Sequence, residues 1–119
     1  MIRLIIVEDQ PYIKKGLQMR LNAEADLLIV GQAPDAQTAI DLATKLCPNV
    51  ALVDIDMLHA NGFATASLLH LLCPQTLIII LSLQDDVLTR KHAEEAGAAA
   101  FISKSLSADQ LPATIRKVV

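Results

Sequence analysis

Five short apolar runs punctuate the chain: IRLIIV (2–7), LLIVG (27–31), VALV (50–53), LIIIL (77–81) and AAFI (99–102). The second to fourth are rich in Val, Ile and Leu, as expected of parallel strands covered on both faces. Between the runs, apolar positions recur with helical spacing. Pro11 suits a first helical turn, and Ile13, Leu17 and Leu21 then share one face. Asp35 is placed to cap a helix carrying Ile40, Ala43 and Leu46 or Cys47. Gly62 opens a third helix, Asp85 or Asp86 a fourth, and Gly97 suits the position just past its end. Ser107 and Gln110 have capping-box spacing before a last helix, with Pro112 close behind. Strand and helix alternate throughout, which predicts an α/β fold: an open, doubly wound sheet of five parallel strands.

KLCPNVALVD and LLCPQTLIIILS both run from a helix end through Cys-Pro into a strand, one helix-to-strand solution used twice. The chain has 119 residues, enough for one domain spanning 1–119. Hydrophobic residues make up 53%, more than in a typical soluble domain and in keeping with a buried parallel sheet. No apolar run approaches the roughly 18 residues of a membrane span. The opening MIRLIIVED is also too short in its apolar part for a secretion signal, so a cytoplasmic location is expected. A net charge of −3, with no basic run longer than pairs such as Lys14–Lys15 and Arg90–Lys91, argues against nucleic-acid contact by this domain. Cys47 and Cys73 read as two buried free thiols. His70 with Cys73 has metal-ligand spacing but no further ligand nearby.

The chemistry gathers where the strands end. In open α/β sheets the functional crevice lies beyond the carboxyl ends of the strands, where strand order reverses. With order 2-1-3-4-5, the first strand ends at Glu8-Asp9, the third at Asp54, the fourth at Ser82 and the fifth at Lys104. Three carboxylates, a hydroxyl and an ammonium are thereby expected on one rim, with Asp54 aimed out of the core toward solvent. Clustered carboxylates drift toward protonation unless a cation sits among them, and Mg²⁺ is the hard ion that pairs with carboxylates and phosphate. With Mg²⁺ on Glu8 and Asp9, an ionised Asp54 can attack phosphorus, while Lys104 and Ser82 hold the equatorial oxygens.

On IIVEDQP, LVDIDM, LS at 81–82 and AGAAAFISKS at 96–105, essentially the whole chain resembles the receiver domain of two-component response regulators. The EDQP start, Leu83 and the KS after the fifth strand look most like the NarL/LuxR branch, whose members commonly carry a C-terminal helix-turn-helix. The resemblance implies a flavodoxin-like (βα)5 fold with Asp54 as phosphoacceptor and Asp9 as a direct Mg²⁺ ligand. Glu8 would reach the metal, often through water, and Asp56 would offer it a backbone carbonyl. Ser82 is then the switch hydroxyl, Phe101 the switch aromatic and Lys104 the phosphate-binding lysine. The implied partners are a sensor histidine kinase or phosphotransfer domain and, on activation, a second copy of the chain. The implied switching face surrounds the fourth helix, fifth strand and fifth helix.

This sequence departs from the pattern at three places. Leu58 stands where many members have proline, which predicts a less rigid loop after Asp54. Ser105 replaces the frequent proline after the lysine, and Phe101 lacks the hydroxyl of a tyrosine. Blander readings accompany the sharp ones. Glu8 and Asp9 would also suit the start of a helix, and Ser82 a backbone hydrogen bond. Leu68, Leu69, Leu71 and Leu72 make the third helix apolar on more than one face, for core burial or a partner. A different class of function is suggested by DIDM at 54–57, which is similar to the nucleophile motif of haloacid-dehalogenase-type phosphatases. Ser82 and Lys104 follow in that family's order, but its second acidic motif comes after the lysine, where only Asp109 stands here.

Overall fold

The computed structural model describes residues 1–104 and 110–119. Strands and helices alternate as β1 (Ile2–Val7), α1 (Pro11–Asn22), β2 (Leu27–Ala33), α2 (Ala36–Leu46), β3 (Val50–Asp54), α3 (Gly62–Leu72), β4 (Leu77–Ser82), α4 (Val87–Glu95), β5 (Ala100–Ser103) and α5 (Gln110–Val118). The strands form one parallel sheet in the order β2-β1-β3-β4-β5, as the alternation predicts.

Because successive strand side chains point to opposite faces, each apolar run supplies two cores at once. Ile5, Val7, Ala51, Val53, Ile78 and Ile80 pack with Ala39 and Ala43 of α2, Ala66 and Leu69 of α3, and Ala93 of α4. Leu4, Ile6, Val50, Leu52, Ile79 and Leu81 face the other way, onto Leu21 of α1 and Leu111 and Ile115 of α5. β3 is wholly buried and β4 is buried after its first residue, which explains why they are apolar without alternation.

The strands run further toward their carboxyl ends than their apolar runs suggest. Gln32 and Ala33 pair with Ile6 and Val7, Asp54 pairs with Leu81, and Ser82 pairs with Ser103. Hydrophobicity marks where a strand is covered, whereas the ladder continues into polar residues. At the other end of β5, Ala99 gives only an entry hydrogen bond to the Ile78 carbonyl, at 2.7 Å, so the strand itself starts at Ala100.

The helix starts follow the expected caps, with two refinements. Asp35 accepts from the Thr38 amide at 2.8 Å, and Asp86 rather than Asp85 caps α4 through the Thr89 amide at 2.7 Å. Asn61, immediately before Gly62, caps α3 through the Ala64 amide at 3.0 Å. Ser107 of the expected capping box, Ser105 and Asp109 lie outside the described residues, while Gln110 opens α5.

Two expectations about the cysteines change. Cys47 is exposed and Cys73 half-buried, so neither is the buried thiol that its neighbourhood suggested. The Cys-Pro echo is real in hydrogen bonding: the Cys47 and Cys73 amides donate to Ala43 and Leu69, at 3.0 and 2.8 Å. The backbones differ, however. Cys47 adopts the left-handed conformation (φ 46°), which turns it outward, whereas Cys73 sits at φ −131°. The His70–Cys73 pairing also dissolves. The His70 ring fills the space beside Gly97 (φ +91°), its Nδ1 2.9 Å from where a Cβ would stand, and Cys73 Sγ lies 3.8 Å from the Thr44 hydroxyl.

Candidate functional site

The register brings the polar strand ends together. Val7 lies opposite Val53, Asp54 opposite Leu81 and Ser82 opposite Ser103, so Glu8, Asp54, Ser82 and Lys104 leave the sheet at neighbouring points on one edge. Gly62 lets the following helix begin close against this edge. A Cβ there would stand 2.9 Å from the Asp54 carbonyl oxygen and would overlap the Ile55 backbone.

Glu8 and Asp54 are both fully buried, and this is where the structure departs most from expectation. Asp54 was expected at an accessible rim; its carboxylate is instead covered, with Lys104 Nζ ion-paired to its Oδ2. Lys104 also reaches Asp56 Oδ2 at 3.3 Å; its side chain is 19% exposed and that of Asp56 27%, so these two lie outside the buried acids. Asp54 Oδ1 accepts from the Asp56 amide at 2.8 Å, but Oδ2 has no hydrogen bond of good geometry. Glu8 Oε2 accepts from the amides of Asp9 (2.9 Å) and Gln10 (3.3 Å), while Oε1 has no donor. Burial, and then the neighbouring Asp54, push the Glu8 carboxyl up to about 8.

Two buried acids, Glu8 with an orphaned oxygen and Asp54 with its Oδ2 met only by the Lys104 ammonium, form a site short of positive charge. One lysine offsets part of it, and a hard divalent cation fits the remainder. Glu8 and Asp54 suit such an ion as they stand. Asp9 does not yet face it: Oδ1 accepts from the Leu58 amide at 3.0 Å and Oδ2 from the His59 and Ala60 amides at 2.7 and 3.2 Å. Partial burial opposes ionisation of Asp9, but these three amides outweigh it and hold the carboxyl below the usual carboxylate range. As a result, no three acidic, imidazole or thiol groups among the described residues converge as a ready metal cage. The Asp56 carbonyl is present but accepts weakly from Gln10 Nε2 at 3.4 Å. The loop after Asp54 is joined to Asp9 through Leu58, where a proline would have no amide to offer.

Ser82 is buried, and its Oγ accepts from the Gln84 amide at 3.0 Å, leaving its proton free to donate elsewhere. Phe101 is half-buried against the α2–α4 core, with the Arg90 guanidinium 4.7 Å above its ring; Asp85 grips that guanidinium from the far side, Arg90 Nη2 to Asp85 Oδ2 at 3.1 Å. Three participants were not read from the sequence: Gln10, Arg90 and the side chain of Asp56. Asp56 accepts from the Leu83 amide at 2.7 Å as well as pairing with Lys104. The D-x-D spacing of 54 and 56 is the signal in the sequence for that side chain.

Comparison with known proteins places these features in a group. Residues 4–116 match the family model described as the response regulator receiver domain. The transcriptional regulatory protein DegU of Brevibacillus brevis is 28% identical over 117 residues, covering 98% of this chain and 50% of DegU. The chain thus spans about half the length of such curated relatives. Among solved structures, the response regulator domain of Thermotoga maritima CheB shares 26% identity at a TM-score of 0.88, covering 99% of this chain and 96% of that one. A LuxR-family two-component response regulator from Aurantimonas has the same fold, with a TM-score of 0.90 at 22% identity over 98% of this chain and 83% of its own. These comparisons lend no support to the phosphatase reading.

Proposed function

This chain belongs to the response regulator receiver domain family, and from that membership we propose that it accepts a phosphoryl group on Asp54 in a Mg²⁺-dependent reaction. The donor is a phosphohistidine of a sensor kinase or phosphotransfer domain. The observation that carries the reading is the buried Glu8–Asp54 pair beneath Lys104, in which Glu8 Oε1 has no donor and Asp54 Oδ2 only the lysine ammonium.

Asp54 attacks the phosphorus; the P–N bond breaks, its electron pair stays with the imidazole nitrogen, and an aspartyl phosphate forms. Because Asp54 is covered, Lys104 must first swing outward, and its ammonium is then free to meet the incoming phosphoryl oxygens. Ser82 donates its unused proton to one of them. Mg²⁺, when bound, supplies the positive charge that keeps the acids ionised and offsets the phosphoryl oxygens. Glu8, Asp9, Asp54 and the Asp56 carbonyl are the groups to hold it.

The new dianion on Asp54 attracts Ser82 and Lys104 and so biases the connected β4–α4 segment. Phe101 follows by repacking, having no hydroxyl to exchange. Leu83, Val87 and Leu88 are 64%, 86% and 62% exposed on this side, giving the α4–β5–α5 face an apolar surface for a second copy or an effector. The reading extends to a cytoplasmic regulator of transcription in which residues 1–119 are the receiver and any DNA contact belongs to another part of the full protein. The chain has no turnover substrate of its own.

Incubation with acetyl phosphate and Mg²⁺, followed by intact-mass measurement, tests the central claim. One phosphoryl adduct is expected on wild type, none on Asp54→Asn, and none when chelator removes the metal. An adduct that persists in Asp54→Asn sinks the assignment. Dimerisation is read separately by sedimentation with and without beryllofluoride, where an unchanged sedimentation coefficient counts against the switching face.

A further inference from the structure

We propose that Asp9 is a latch shared between the β3–α3 loop and the divalent cation, so that metal binding must release the amides of Leu58, His59 and Ala60. The inference rests on the Mg²⁺-dependent reading above and adds what that reading does not contain: a price in loop order for each ion bound.

The carboxylate of Asp9 is committed on both oxygens. Oδ1 takes the Leu58 amide, and Oδ2 takes those of His59 and Ala60, at 3.0, 2.7 and 3.2 Å. Three amides converging on one carboxylate form an anion nest. A carboxylate held this way is turned toward the loop, and three of its roughly four lone-pair sites are already in use. Glu8, by contrast, keeps an unsatisfied oxygen, and Asp54 Oδ2 is met only by the Lys104 ammonium. The two acids that await a cation and the acid that would complete the set therefore compete with the loop for the same side chain.

The latch depends on one feature of this sequence. Proline has no N–H, so the first of the three bonds exists only because residue 58 is not proline. Leu58 and His59 are exposed, so water takes over their amides when Asp9 leaves, and the exchange is reversible. The segment is anchored on both sides of the latch. Before it, the Asp56 amide is bound to Asp54 Oδ1; after it, Asn61 caps α3 and Gly62 lies against the Asp54 carbonyl. Opening is thus confined to about residues 57–60, directly beside the phosphoacceptor.

The experiment is a Mg²⁺ titration of the ¹⁵N-labelled chain, reading amide exchange with water at Leu58, His59 and Ala60, with calorimetry giving the affinity independently. Exchange at all three amides is expected to accelerate with the calorimetric Kd. Leu58→Pro, which deletes one bond of the latch, is expected to bind Mg²⁺ about fivefold more tightly, equivalent to about 1 kcal/mol. Calorimetric binding with the three amides unchanged overturns the latch while leaving the metal reading intact. Equal or weaker binding by a folded Leu58→Pro does the same. Absence of any Mg²⁺ binding overturns both. Should Leu58→Pro not fold, the wild-type exchange rates decide the matter alone.

Discussion

Gly62 illustrates how a single residue holds the site in shape. A methyl group there would press on the Asp54 carbonyl and the Ile55 backbone, neither of which yields as a flexible side chain would. Gly62→Ala is expected to lower stability by about 1–3 kcal/mol, the usual range for overpacking. It should also slow phosphorylation, because the backbone of the phosphoacceptor must move; urea unfolding and the acetyl phosphate assay read the two effects. From sequence, Gly62 was legible only as a helix opener, since close approach between residues eight apart depends on how the loop folds back. Asp54, Ser82 and Lys104 were legible as neighbours because strand ends are set by the alternation of elements. The direction of Asp9 and the covering of Asp54 were not. A carboxylate's choice between an ion, an ammonium and three loop amides is decided by local geometry that no spacing rule encodes.

At the scale of elements, caps and ladders decide where structure starts and stops. Asp86→Ala removes the side-chain acceptor for the Thr89 amide and is expected to cost about 1 kcal/mol. Asn61→Ala, which frees the Ala64 amide, should cost a similar amount. Chemical denaturation reads both; only the second should also disturb amide signals around Asp54, because its helix begins beside the site. The existence and type of the elements were readable because parallel strands are buried on both faces and helices between them repeat every three to four residues. Strand ends were less so: Asp54 and Ser82 belong to the ladder through their backbones although their side chains break the apolar run. The choice between Asp85 and Asp86 was likewise closed to the sequence. Both acids suit a cap, and the structure gives Asp86 to the helix and Asp85 to Arg90.

Across the whole molecule, α5 is fastened to the α1–β2 connection by Arg116. Its guanidinium bonds both oxygens of Asp26, at 2.8 and 2.7 Å, and Glu24 at 3.0 Å. No local pattern connects positions ninety residues apart, so this clasp was invisible in the sequence even though the sheet order was not. The hydrogen bonds and charge of Arg116 lower the Asp26 carboxyl from 3.8 to about 2. A depressed carboxylate contributes stability that is fully present above its unfolded value and lost as pH falls through the folded one. The difference in urea midpoint between wild type and Arg116→Ala should therefore hold near pH 5 and shrink between about pH 4 and pH 2. The pair is exposed, so the difference should also be modest and decline with added salt.

The outward turn of Cys47 has a practical corollary. That thiol precedes β3 while Asp54 closes it, so the sheet's length separates an exposed nucleophile from the acidic edge. The half-buried Cys73 is the slower competitor for alkylation. A maleimide dye added at limiting stoichiometry would therefore report tumbling and self-association of the native chain from a position remote from the chemistry, with no engineered cysteine.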